Sequence, residues 1–383
     1  MKTFIRLFLL FACLTSMVAN AQLAVYKLTT ASKKPEKNGV MYSLPRTLVK
    51  VSITISETEF IKGPYAEYAA DLLGIQNPVM QAYKEYELVD AGFETLTEPD
   101  PDQYYFIEVD EKASKEDRNL VFSLSNNGII KSVNTSAQLK ERSGNITENQ
   151  KLIADDRLFE FSNTPSIYRK VDTIVRIVTV DTATIKKRFF NTTFEEKPSE
   201  MKAREAADMV SRIRDSRFNL LTGYQETNFS KESLEYMDKQ LQAMSNEYLS
   251  LFRGMKTERL LTFTYYLVPD ASRTSITVCR VSKESGIVDQ TDSKGRELVL
   301  NVKRSENTSQ LPAWVSSSVD PKVPVIFYRM PEMASLAIKY GNKTFDEKYL
   351  PVSQFGKVTQ LPLNKSRLEF YPETGSIKAV YFE

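Results

Sequence analysis

The chain has 383 residues, 42% hydrophobic and 26% charged, with 51 Lys and Arg against 49 Asp and Glu and no histidine. That length fits two or three domains with enough apolar residues for real cores, and the near-neutral charge gives no counterion-release drive toward nucleic acid or anionic lipid. The missing imidazole excludes Ser-His-Asp and Cys-His nucleophile pairs, His-ligated zinc and imidazole acid/base steps, which leaves any catalysis to carboxylates, Lys, Tyr or Ser.

The first element is an export signal. Lys2 and Arg6 precede an apolar run from Leu7 to Val18, and "ANA" places small residues ahead of Gln22, so cleavage is expected after Ala21. Reading "LFAC" as a lipidation box would leave only about six apolar residues before Cys13, fewer than a working hydrophobic region needs. The segment 22–383 holds no apolar run of the roughly 20 residues a membrane helix requires. With Cys13 removed, Cys279 stands alone, and the fold rests on packing rather than on a disulfide.

In "TLVKVSITISETEF", Val49, Val51, Ile53 and Ile55 alternate with Lys50, Ser52 and Thr54, the period of a half-buried strand. The next stretch, "KGPYAEYAADLLGI", reads as one short helix with Pro64 in its first turn and Gly74 at its end. From Tyr86 to about Phe194 the strand pattern returns in "YYFIEV", "NLVFSLS" and "DTIVRIVTV". "KSVNTSAQLKERSGNITENQK", between them, is polar and weakly patterned and is expected to be a long exposed loop. After Pro198, Met201 or Ala203, then Ala206, Ala207, Val210 and Ile213 recur at helical spacing, and after a linker Leu234, Met237, Leu241, Met244, Tyr248 and Leu251 do so up to Gly254. Two such helices predict an αα-hairpin whose Met and Leu stripe buries against a sheet or its twin. Seven further strand patterns follow without helical crossovers.

The expected fold is therefore α+β and mainly β: a β-rich domain with one short helix over 22–195, a helical hairpin over 196–254, and a sandwich-like or barrel-like antiparallel domain over 255–383.

Each candidate constellation has a plain structural alternative. Glu98, Asp100 and Asp102 in "EPDPDQYY" offer oxygens to a hard cation, but no Gly-spaced loop accompanies them, and Pro99 and Pro101 favour a rigid turn feeding the next strand. Asp155, Asp156, Glu195 and Glu196 are adjacent pairs, and neighbours on an extended chain point to opposite sides rather than facing each other as acid and base. "SKES" near 282 reads as a hairpin turn rather than a Ser/Lys nucleophile. The doublets Tyr104/Tyr105 and Tyr265/Tyr266 should each turn one ring outward, which together with Trp314 offers a binding surface. Cys279 in "SITVCRV" reads as a buried strand residue. "DTI" and "DTA" fit a short acceptor pattern for periplasmic O-glycosylation in Bacteroidota, which would modify Thr173 or Thr182. No catalytic, metal or cofactor site is expected.

Several pieces occur together in order: "YSLPRT", "GPYAEYAADLLGI", "EPDPDQYY", "NLLTGY", "YLSLFRG", "FYRMP", "VSQFGKVTQLP" and "PETGSI". In this spacing the chain resembles the domain-of-unknown-function family 4831, exported proteins of Bacteroidota. The resemblance implies a Gram-negative envelope protein and carries no assigned activity, so no catalytic residues transfer. The expectation is a non-catalytic periplasmic or outer-membrane-associated protein that presents its β domains to another envelope protein, with the hairpin between them. The competing expectation is a glycan-binding module or carboxylate-based glycoside hydrolase, marked by an acidic cleft lined with aromatic rings.

Overall fold

The computed structural model describes residues 23–33, 38–109, 121–134, 166–180, 183–224, 229–308, 310–312, 325–363 and 366–382. Much of the loop expected over 131–151, together with Asp155, Asp156, Thr182 and Trp314, lies outside them. The described part is mainly β, with antiparallel sheets, few helices and no closed barrel.

The first sheet has the order β1-β3-β2-β8, from β1 (Leu23–Lys27), β2 (Gly39–Ile61), β3 (Tyr83–Val109) and β8 (Met255–Leu267). A second has the order β10-β9-β11-β12-β13, from β9 (Ser275–Ser282), β10 (Gly286–Val288), β11 (Arg296–Arg304), β12 (Val325–Tyr340) and β13 (Lys343–Pro362). A third joins β15 (Ile377–Phe382), β14 (Ser366–Phe370), β5 (Ile130–Val133) and β4 (Phe122–Leu124) in that order. The fourth is a ribbon of only two strands, β6 (Ile167–Val180) and β7 (Ala183–Glu196).

Two apolar cores lie between these layers. Val49, Val51, Ile53 and Ile55, the alternating residues of β2, pack with Leu298, Leu300, Leu336, Ile338 and Val352 in one. Tyr42, Leu44, Tyr105 and Ile107 from the other ends of the same long strands pack with Ile130, Val133, Ile326, Leu368 and Phe370 in the second. The two cores do not divide the chain at 254/255. β8 pairs along its length with β2, and β14 pairs with β5, so each core draws on both parts of the chain. The physical reason is strand length: β2, β3, β12 and β13 run through both cores, and each hairpin changes register on the way.

Those register changes explain "EPDPDQYY". Ser43 pairs with Tyr104 and Pro45 with Pro99, so residues 100–103 bulge out of β3 opposite Leu44. The turn expected from the prolines is this bulge, which re-aims the strand. In the second hairpin Met330 pairs with Lys357 and Glu332 with Val352, leaving residues 353–356 to bulge opposite Pro331. Neither Pro45 nor Pro331 can donate to a ladder, so the break comes where a hydrogen bond is missing anyway. Gly356 lets the strands close up there, because a Cβ would sit 1.7 Å from the Met330 carbonyl oxygen.

The two breaks share one polar junction. Arg329, 3% exposed, donates from Nη2 to Asp100 Oδ2 (2.7 Å) and from Nη1 to the Pro45 carbonyl (2.6 Å), and its amide donates to the Gly375 carbonyl. Beside it Thr47 N donates to Gln354 Oε1 (2.9 Å), Ser353 N donates to Thr47 Oγ1 (3.0 Å), and Gln354 Nε2 donates to the Thr47 and Pro269 carbonyls. Buried bulge groups would otherwise stand without partners, and this network supplies partners to the Pro45 and Thr47 carbonyls and to the Thr47 and Ser353 amides.

The short helix expected after β2 forms as a 3-10 turn (Ala66–Tyr68) running into α1 (Ala69–Leu73), ended by Gly74. The αα-hairpin also forms, from α2 (Ser199–Thr222) and α3 (Lys231–Arg253). Ala203, Ala206, Ala207, Val210 and Ile213 are all buried. The base of the hairpin packs through Ala203, Ala206, Leu251 and Phe252 on Tyr65 and Ala69, in a cluster that contains no strand residue. The base of the hairpin is thus seated on the short helix.

Candidate functional site: a two-stranded ribbon and a helical hairpin

Among the described residues the candidate charged groups are held by separate partners. Glu98 accepts from Arg46 Nε (2.6 Å), Asp100 is committed to Arg329, and Asp100 Oδ1 accepts from the Asp102 amide (3.0 Å). Glu195 takes Lys170 Nζ (3.2 Å) while Glu196 takes Lys202 Nζ (3.3 Å), so the adjacent pair does split to different partners. Glu332 accepts from Arg304, Thr308 and the Glu306 amide, and Glu57 from Lys84 and Arg259. Among the described residues no three His, Cys, Asp or Glu side chains are grouped to hold a metal ion. In the "SKES" stretch, Ser282 Oγ accepts from the Glu284 and Ser285 amides in a hairpin turn.

The tyrosine doublets divide as alternation requires. Tyr105 is buried, stacked against Tyr42 (5.3 Å between centroids) and Phe327 (4.5 Å), and burial pushes its hydroxyl up to about 12. Tyr104 is half-buried. Tyr265 packs against the first core, and burial raises its pKa, whereas Tyr266 is 59% exposed. Tyr266 pairs with Lys50 and Tyr104 with Ser43, seven residues apart on β2, or ~23 Å at the rise of a strand. The outward members therefore form no shared platform. Cys279 is buried, and burial pushes its thiol up to about 11.

What stands out instead is the β6–β7 ribbon. Its β-branched sequence forms strands readily, and its register runs unbroken from Ile167↔Glu196 to Val180↔Ala183. Paired residues share a face. Ile167, Val171, Thr173 and Val175 therefore lie with Phe190 and Phe194 on one side, and Ile174 lies with Phe189 on the other. Phe190 is 70% and Phe194 73% exposed, and Ile167, Val171, Ile174, Val175 and Phe189 are exposed as well. A strand at a protein exterior ordinarily shows water one polar face, and a two-stranded ribbon alone is marginal in water. Thr173 is exposed opposite Phe190.

The far end of the helical hairpin repeats the pattern. Arg217 holds Asp238 through two bonds (2.6 and 3.2 Å), and Ser230 Oγ accepts from the Ser233 amide to cap α3. Past that clamp Phe218, Leu221, Tyr224 and Tyr236 are exposed, Tyr224 by 82%. A shallow hollow there is lined by Phe229, Glu232, Ser233, Tyr236 and Met237. Sequence reasoning missed both surfaces, because a β-branched run and a Met/Leu stripe read the same whether or not anything covers them.

No helix among the described residues is long and apolar enough to cross a membrane. No curated protein and no solved structure matches the chain. The model of the family described as Domain of unknown function (DUF4831) matches residues 38–378, a span that takes in both cores, the ribbon and the helical hairpin. The chain belongs to the DUF4831 family.

Proposed function

We propose that this protein is a non-catalytic, exported component of the cell envelope, in the periplasm or at the outer membrane, that binds another envelope protein through the ribbon. The observation carrying this reading is a pair of 14-residue strands that, among the described residues, form a two-stranded sheet of their own, with Phe190 and Phe194 exposed on one face. Apolar patches of this kind mark interaction surfaces, and aromatic residues dominate binding energy where they become desolvated. The leader with its small-residue cleavage site supports export. The test is co-purification of tagged protein from gently solubilised cells, comparing wild type with a Phe190→Ser/Phe194→Ser variant. A stoichiometric envelope protein retained by wild type and lost from the variant supports the reading. Recovery that is the same for both refutes it.

A second reading rests on the hollow at the hairpin end, where Tyr236 and Phe229 flank Glu232. Aromatic faces beside a carboxylate suit a glycan ring, so this surface would bind sugar without hydrolysing it. Tyr236→Ala should then abolish retention on immobilised envelope glycan and leave ribbon-dependent co-purification intact.

A further inference from the structure

Among the described residues β6 pairs only with β7, and its other edge carries information about what could pair with it. In a hairpin closed by two residues the flanking pair, Val180↔Ala183, is hydrogen-bonded, and alternation directs the even-numbered amides of β6 to β7. Lys197 N donating to the Ser166 carbonyl continues the same parity at the base. Residues 171, 173, 175 and 177 therefore turn their backbone donors and acceptors to the free edge. An incoming antiparallel strand must pair odd with odd if it is another β6.

Read from Ile174 outward, the strand is chemically self-complementary. Thr173 is matched by Val175, Asp172 by Arg176 and Val171 by Ile177. We propose that β6 pairs with β6 of a second copy, antiparallel about a twofold axis at Ile174, giving a four-stranded sheet in the order β7-β6-β6-β7. In this register each Asp172 lies across from an Arg176, twice by symmetry, while apolar and Thr residues fill the positions between. Neighbouring registers lack this match. An axis at Thr173 sets Lys170 against Arg176, one at Val175 sets Asp172 against Val178, and axes at 172 or 176 oppose like charges. The pairing also consumes an exposed strand edge that otherwise templates aggregation, and it makes an isologous contact of the kind closed dimers use. The faces carrying Phe190 and Phe194 stay open, so the inference goes beyond the partner reading and does not depend on it.

The test is sedimentation of the purified mature chain as wild type, Asp172→Arg, Arg176→Asp and the double exchange, with circular dichroism to confirm folding. Wild type should be a dimer, and each single exchange should weaken it by roughly tenfold or more as two ion pairs become like-charge contacts. The double exchange should restore it. Ile174→Cys should form a reducible dimer under mild oxidant, because a non-hydrogen-bonded cross-strand pair brings Cα atoms to about 4.5 Å, within disulfide reach. A monomeric wild type at about 100 μM, single exchanges without effect, or a double exchange as weak as the singles would overturn the proposal. Loss of a foreign partner from the Phe190→Ser/Phe194→Ser variant would leave it standing.

Discussion

Replacing Asp100 by Ala probes the junction on which both cores depend. Arg329 is 3% exposed and keeps one charged partner, Asp100, at 2.7 Å; with it gone, the guanidinium retains only the Pro45 carbonyl at 2.6 Å. Arg329 Nε already stands without a partner, so the site has no spare acceptor to take over. Breaking a buried pair by removing one member costs about 3–5 kcal/mol, because an uncompensated charge remains inside. At about 2–4 °C per kcal/mol for larger domains, the melting temperature should fall by about 6–20 °C. The assay is thermal unfolding by calorimetry or circular dichroism, with Asp100→Leu/Arg329→Met as companion. Removing both charges together should recover most of the loss, since paired desolvation costs nearly cancel the pair's attraction. An Asp100→Ala variant that melts within about 2 °C of wild type would refute the reasoning.

Further predictions concern single groups. Burial pushes the Glu332 carboxyl up, but Arg304, Thr308 and the Glu306 amide outweigh it and hold the pKa below the ordinary value. Lys84, Tyr86 and Arg259 outweigh burial in the same way at Glu57. Both therefore stabilise the fold above the unfolded carboxylate pKa of about 4.3, and that stabilisation is lost as pH falls through the lower folded values. Melting temperatures should drop below about pH 4, and Glu332→Gln should flatten that drop while lowering the value at pH 7. Gly356→Ala should prevent folding or force β13 away from β12, because its Cβ would meet the Met330 carbonyl oxygen at 1.7 Å; loss of soluble expression or of native circular dichroism reads this out. Cys279 should stay unmodified by a thiol reagent at pH 8 in the folded protein and react fully in denaturant, because burial raises its pKa to about 11.

Much of the secondary structure was legible because alternation and helical spacing are local. Val49 to Ile55 declare a buried strand face, and Ala203 to Ile213 declare a buried helix stripe, without reference to any partner. Pairing was not legible. That β8 joins β2 from about 200 residues away, or that β14 joins β5, depends on which apolar face meets which, and many faces in this chain are equally apolar. The domain boundary expected at 254/255 followed from a change of pattern, whereas each core combines strands from both sides of it. In "EPDPDQYY" the prolines announced a break in the strand, but nothing local reveals that Arg329 lies across from it. The ribbon was read as ordinary strands because Val, Ile and Phe in alternation mean burial in most proteins. Its exposure is a fact of what the other described residues leave uncovered.

The most direct test of the partner reading is to place a photo-crosslinking amino acid at position 190 in living cells, with Lys303, exposed on β11, as the control position. The ribbon reading predicts one discrete adduct with a different envelope protein from position 190 and none from 303. No adduct at 190, an adduct only with a second copy of this chain, or equal diffuse labelling from both positions would contradict it.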